Sequence, residues 1–248
     1  MLVVVGDSHT VALHDGLSSL DHETVERLNG LFGSVKAQVV MAGYSAFQPF
    51  FFRNAEGISF IEPIGSRLAE LLEDDGVIAP NDQRVFGFCL GFHIFGKHES
   101  LFGSAWKWRN HSVVSRRDRS FVSKAVTEKL ILQQGRYILE FAEALNEMGV
   151  RAFFIGPPAV RRQHVELNHP MLTVDEMLSL QESFWSVMGA ALGRVGVPYI
   201  LAPSEATHAG MLLPEFELDR SWDTFHANAA FGEVVWRHIA DRAACGEL

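Results

Sequence analysis

The stretch "VVVGDSHTVALHDG" (residues 3–16) decides how this chain is read. A short apolar run, Leu2–Val5, feeds directly into Gly6-Asp7-Ser8-His9-Thr10. A serine at that place has two readings. It can cap the helix that follows, as Ser does well after a strand. Or it can be a nucleophile held at the top of a parallel sheet, which needs a base brought from elsewhere in the chain.

Four further β-rich runs follow: Ala37–Met41, Val85–Leu90, Ala152–Ile155 and Pro198–Leu201. Between them lie segments with helical periodicity: Ile64–Leu72, Phe121–Met148 ending at Gly149, Val174–Leu192 and Ala227–Ala240. Continuous apolar strands alternating with helices predict a parallel sheet covered on both faces. The expectation is α/β, a three-layer α/β/α sandwich with five parallel strands, with residues 1–248 forming a single domain because no Pro, Ser or Gly linker divides them. Two segments stand apart. Gly43–Pro63 is rich in Phe, and His98–Arg119 carries Trp106, Trp108 and several arginines. Both follow predicted strands, so both are candidate rims of a ligand site at the carboxyl end of the sheet, with aromatic packing and a solvated charged face as the alternative.

The 248 residues are 48% hydrophobic and 21% charged, the balance of a globular protein with a substantial core. The net charge of −9 argues against a nucleic-acid partner, which needs a basic surface. Cys89 and Cys245 make neither metal spacing nor a disulfide framework and suit a reducing compartment. Met1–Val5 lacks a charged leader, and no apolar run approaches the ~20 residues of a membrane span, so the expected location is cytoplasmic, with no membrane partner. The sequence leaves the oligomeric state open. His98, His111, His164, His169 and His208 form no ligand motif, so no metal is expected. Gly6 stands alone without a dinucleotide fingerprint, and no cofactor is expected.

Near the other end of the chain is "SWDTFHANAAFGEVVW" (residues 221–236), in which Asp223 and His226 stand three apart ahead of a predicted helix. A carboxylate that binds one imidazole nitrogen fixes the tautomer and leaves the other nitrogen to take a proton from a serine. Taken singly, Asp223 could cap the last helix and His226 could be an ordinary packed histidine. Together with Gly6-Asp7-Ser8-His9 they make a constellation.

On these two blocks the chain resembles the SGNH (GDSL-like) hydrolase superfamily, from Leu2 to about Ala240. The resemblance implies a flavodoxin-like α/β/α fold. It implies Ser8 as nucleophile, His226 as base and Asp223 as its orienter. Gly43, in "VVMAGYSA" (residues 39–46), matches the family's second block, whose backbone N–H joins that of Ser8 in the oxyanion hole. The third block departs. Where the family carries Gly-x-Asn-Asp, this chain has Gly91-Phe92-His93-Ile94, which puts His93 in the place of the oxyanion-binding Asn. A neutral imidazole N–H can replace the amide donor, and the alternative is a hole with two donors only. His9 after the nucleophile, where many members carry Leu, resembles SGNH domains that add or remove acyl groups on glycans. A local packing or capping role is the alternative.

The expected function is a serine esterase acting on a small acyl ester, with acetyl as the candidate acyl group and a carbohydrate as the candidate alcohol, and with a small-molecule or glycan ester as partner. An O-acyltransferase using the same Ser8, His226 and Asp223 is the second reading. A non-catalytic carbohydrate- or partner-binding module on the same fold is the third.

Overall fold

The computed structural model describes residues 1–90, 108–110, 120–163, 173–220 and 223–248, with the backbone alone at 43–44, 108–110 and 120–122. Leu2–Val5 are buried from both sides, which a strand achieves only at the centre of a covered sheet. They form β1 (Leu2–Gly6), which pairs in parallel with β2 (Val35–Val39) on one side and β3 (Val85–Cys89) on the other, Val4 lying opposite Ala37 and Gly87. β4 (Arg151–Ile155) and β5 (Tyr199–Ile200) extend the sheet, again in parallel. The order β2-β1-β3-β4-β5 is the flavodoxin-like order. It reverses direction between β1 and β3, the switch point at which open α/β sheets bind ligands beyond the carboxyl ends of their strands.

Seven helices are found among the described residues: α1 (Thr10–Ser19), α2 (His22–Phe32), α3 (Ile64–Leu72), α4 (Lys124–Gln134), α5 (Arg136–Glu147), α6 (Val174–Arg194) and α7 (Ala229–Ala244). The twofold alternation of the strands sorts them into layers. Val3, Val5, Phe86, Phe88 and Phe154 face a core built with Leu68, Phe141 and Met188 of α3, α5 and α6. Leu2, Val4, Val85, Phe153 and Ile155 face the opposite core, with Leu13, Leu28, Phe231 and Trp236 of α1, α2 and α7. The α/β/α sandwich is therefore as expected.

Three sequence expectations change in detail. The second strand lies two residues earlier than expected. Val40 and Met41 turn both their N–H groups onto the Gly6 carbonyl (2.9 and 3.2 Å), and the chain leaves the ladder there. The long helical segment Phe121–Met148 is two helices broken at Gly135, a residue of low helix propensity seated so tightly on Met188 that a Cβ would lie 2.5 Å from its Cε. The Phe-rich segment after β2 is largely core. Phe50 and Phe60 pack on Phe141 of α5, with ring centroids 5.3 and 5.6 Å away, and Phe51–Arg53 pairs with Ile58–Phe60 as a hairpin that leaves only Phe52 well exposed among these phenylalanines. The His98–Arg119 segment lies outside the described residues apart from the backbone of 108–110. Among the described residues no helix is long and apolar enough to cross a membrane.

The helix after β1 and the last helix of the chain cross in backbone contact. A Cβ on Gly232 of α7 would fall 1.8 Å from the Ala12 carbonyl oxygen, and one on Gly16 of α1 2.7 Å from the Glu233 nitrogen. Trp236, fully buried, donates its indole N–H to the Leu13 carbonyl at 2.8 Å. Gly232→Ala is expected to lower stability by about 3 kcal/mol, since backbone cannot yield to a new methyl as a side chain can. Gly30→Ala, on open surface of α2, should raise it by about 0.5 kcal/mol. Urea midpoints at constant m-value check both.

Candidate active site

Gly6 ends β1 because nothing larger fits: a Cβ there would lie 2.0 Å from the Cys89 carbonyl oxygen. The Asp7 N–H donates to that same carbonyl at 2.9 Å, so the turn after β1 is tied to the end of β3. Asp7 is buried, and its Oδ1 accepts from the His9 N–H at 3.0 Å, bending the chain tightly into α1. The helix starts at Thr10, its cap residue is His9, and the His9 side chain makes no cap hydrogen bond. Ser8 therefore does not cap α1. Its hydroxyl points elsewhere.

It points to His226. Ser8 Oγ lies 2.8 Å from His226 Nε2, and His226 Nδ1 lies 2.7 Å from Asp223 Oδ2. The carboxylate only accepts, so Nδ1 carries the proton and donates to Asp223. Nε2 is then the acceptor, and the Ser8 hydroxyl donates to it. Burial deepens along this row. Ser8 is half-buried, the His226 side chain is 19% exposed and that of Asp223 3%.

Asp223 earns its place through the other oxygen. Oδ1 accepts from the backbone N–H groups of Phe225 (3.2 Å) and His226 (3.0 Å), which folds the Asp-x-x-His segment into one turn with both side chains on one side. Burial works to raise the Asp223 pKa, but the hydrogen bonds from the His226 backbone and ring, the His226 charge and the Phe225 N–H outweigh it and hold the carboxyl below its ordinary value. Asp223 does not cap α7. Asn228 does, accepting from the Phe231 N–H at 3.2 Å, while its amide donates to the carbonyls of Glu215 and Glu217.

Sequence reasoning missed one residue of this neighbourhood. Arg161, beyond the end of β4, is only 4% exposed. Its Nη1 donates to the Asp223 carbonyl at 2.9 Å and reaches those of Leu218 and His226 at 3.4 Å, and its Nη2 pairs with Glu217 Oε2 at 2.7 Å. An arginine two places after Pro157-Pro158-Ala159 would read as surface charge, and only a buried partner loop reveals otherwise.

His9 is buried with its ring centroid 5.0 Å from that of His226, and the ring of Phe225, 38% exposed, lies beside both, 4.1 Å from His226 and 6.0 Å from His9 between centroids. Gly43 opens the 3-10 turn Gly43–Phe47 at the carboxyl end of β2, on the strand next to the one that delivers Ser8. His93 lies outside the described residues. The Cys89 thiol, beneath the Ser8 turn, is pushed well above its ordinary pKa by burial and by the charge of Asp7, so it stays protonated and is no rival nucleophile. Among the described residues no group of three His, Cys, Asp or Glu is placed to hold a metal ion.

No family model and no curated protein matches the sequence. Solved structures do match. The periplasmic domain of a lipopolysaccharide acetyltransferase from Salmonella ser. Paratyphi A superposes with a TM-score of 0.50 at 14% identity, covering 98% of this chain and 83% of that one. A carbohydrate acetylesterase family member from Sinorhizobium meliloti gives 0.48 at 13% identity, covering 99% and 98%. A GDSL-like lipase from Bacteroides thetaiotaomicron gives 0.46 at 11% identity, covering 99% and 88%. The likeness to the acetyltransferase domain is one of fold, the same α/β/α architecture. At such identities the likeness stops at architecture, and the assignment of chemistry to this chain depends on its own residues.

The depressed pKa of Asp223 carries a sign. A carboxyl whose folded pKa lies below its unfolded value adds stability above the unfolded pKa, and loses it as pH falls through the folded one. Asp223→Asn is therefore expected to cost most stability near neutral pH. Its gap from the parent protein should close as acid passes below about pH 4. Thermal midpoints of both proteins across that range give the comparison.

Proposed function

We propose that this chain is a serine esterase that cleaves a small acyl ester, with an O-acetylated carbohydrate as the favoured substrate class. One observation carries the reading. Residues 218 positions apart meet as a continuous hydrogen-bonded row, Ser8 to His226 to Asp223, at 2.8 and 2.7 Å. A hydroxyl so paired can be relieved of its proton as it attacks, which serine alone cannot achieve at neutral pH.

In this reading Ser8 Oγ attacks the acyl carbonyl carbon and passes its proton to His226 Nε2. Asp223 stabilises the imidazolium and keeps the ring in register. The carbonyl oxygen becomes an oxyanion, held by the N–H groups of Ser8 and Gly43, with His93 as the third donor in place of the family's Asn. Collapse breaks the ester C–O bond, and the leaving alkoxide takes the proton from His226. Water then attacks the acyl-Ser8, gives a proton to His226, and the carboxylic acid departs as Ser8 recovers its hydrogen. The roles require no cofactor or metal. Residues 1–248 act as one unit in this account, since Ser8 and His226 come from its two ends. The two free thiols suit a reducing compartment, and the reading keeps the chain in the cytoplasm.

Acyl transfer is the second reading. The fold shared with a structure named as a lipopolysaccharide acetyltransferase domain favours it. The first half of the reaction is the same, and a sugar hydroxyl replaces water in the second.

Turnover of p-nitrophenyl acetate and of acetylated sugars, with and without acceptor alcohols, tests the proposal. Ser8→Ala is expected to fold and to lose activity to background. Asp223→Asn should lower kcat about 10⁴-fold by losing the tautomer that leaves Nε2 unprotonated. Full turnover by folded Ser8→Ala would sink the mechanism, and a folded wild type that turns over none of these esters would move the chain to the binding-module reading.

A further inference from the structure

We infer that Arg161 is a positioning residue for the Ser8 reaction, a buried cation that holds the Asp223–His226 turn against the end of the sheet. The inference rests on the nucleophile reading given above. It begins with the loop itself. Residues 216–218 pair with residues 226–228: Leu218 N–H donates to the His226 carbonyl at 3.1 Å, Asn228 N–H to the Phe216 carbonyl at 2.9 Å, and Glu217 bridges to Ala227. These contacts close the base of the loop. They leave the carbonyls of Leu218, Asp223 and His226 turned toward one point, and the guanidinium of Arg161 occupies it.

The residues held matter more than their number. Two of the three carbonyls belong to Asp223 and His226, the two ends of the turn whose side chains form the row to Ser8. A shift of either backbone alters the 2.7 Å and 2.8 Å separations directly. Arg161 can resist such a shift because its own backbone is fixed from the other side. The Gly156 N–H donates to the Ile200 carbonyl of β5 at 2.7 Å, the Val160 N–H to Gln181 Oε1 of α6 at 2.7 Å, and the Val160 carbonyl accepts from Leu212 N–H at 3.1 Å. The planar fork serves two kinds of acceptor at once, Nη1 on the carbonyls and Nη2 on Glu217, and the carboxylate balances the buried charge. A lysine ammonium is a single point of charge and cannot hold both in the same geometry. The Arg161 hydrogen bonds run to Leu218, Asp223, His226 and Glu217 and not to Ser8, so its part in the reaction runs through Asp223 and His226.

The test is the rate at which a fluorophosphonate labels Ser8, read by intact mass, in the full-length wild type, Arg161→Met and Arg161→Lys, with thermal unfolding to confirm that each is folded. Arg161→Met is expected to be labelled about 100-fold more slowly, the loss that a misplacement near 1 Å produces. Arg161→Lys should fall between, about tenfold below wild type, because charge survives and the fork does not. On an ester substrate the loss should appear in kcat with KM changed less than about threefold, which a general loosening of the fold would not give. Should Arg161→Met fail to fold, Arg161→Lys decides alone. Labelling of either folded variant at the wild-type rate overturns the role of Arg161 and leaves the nucleophile reading intact. A folded wild type that takes no label overturns both.

Discussion

The crossing of α1 over α7 is the constraint on which the rest depends. One helix begins two residues after Ser8, and the other three residues after His226. They meet so closely at Gly16 and Gly232 that neither position has room for a Cβ, and Trp236 ties the contact to the Leu13 carbonyl. The two ends of the chain are thereby fixed relative to each other before any side chain of the site is considered. Ser8 gains a second anchor through Asp7, which binds the end of β3, and the Asp223 turn gains one through Arg161, at the end of β4. The site is thus held from the helical layer and from the sheet. A hydrogen-bonded row of three side chains needs this, since misplacement by a fraction of an ångström breaks it.

The row also has an electrostatic order. Asp223 is the most buried member, and its charge is sustained by backbone N–H groups and by the imidazole it orients. His226 is the intermediate, and Ser8, at the carboxyl end of β1, is half-buried. Charge is thus stored deep, and the Ser8 hydroxyl lies at the shallow end of the row. Buried acceptors with matched donors are what allow such a carboxylate to remain ionised in a protein interior.

Much of this was legible in the sequence, for physical reasons. Leu2–Val5 has no polar face, and only a strand covered on both sides tolerates that. Ile64–Leu72 was found with its limits because its apolar spacing and its ends coincide. Asp-x-x-His was legible as a turn because three-residue spacing with an Asp at its head favours one. Other features were closed to sequence reading. Ser8 as cap and Ser8 as hydrogen-bond partner of a distant imidazole predict the same residue, and only the 2.8 Å contact separates them. The helical period runs through Gly135 without interruption, so it does not show the break that divides the segment there into two helices. Phe50 and Phe60 could line a site or fill a core, and only their packing on Phe141 of a distant helix decides it. Arg161 was invisible because it bonds the carbonyls and a carboxylate of a loop far along the chain, which carry no residue signature.

The central claim is that Ser8 is a nucleophile whose oxyanion is received between the ends of β1 and β2. A crystal structure of the protein after reaction with a phosphonylating ester tests it most directly. The account predicts a phosphorus bonded to Ser8 Oγ, one phosphoryl oxygen within hydrogen-bond reach of the Ser8 and Gly43 N–H groups, and His226 still paired with Asp223. An unmodified Ser8, or a phosphoryl oxygen facing away from Gly43, would contradict it.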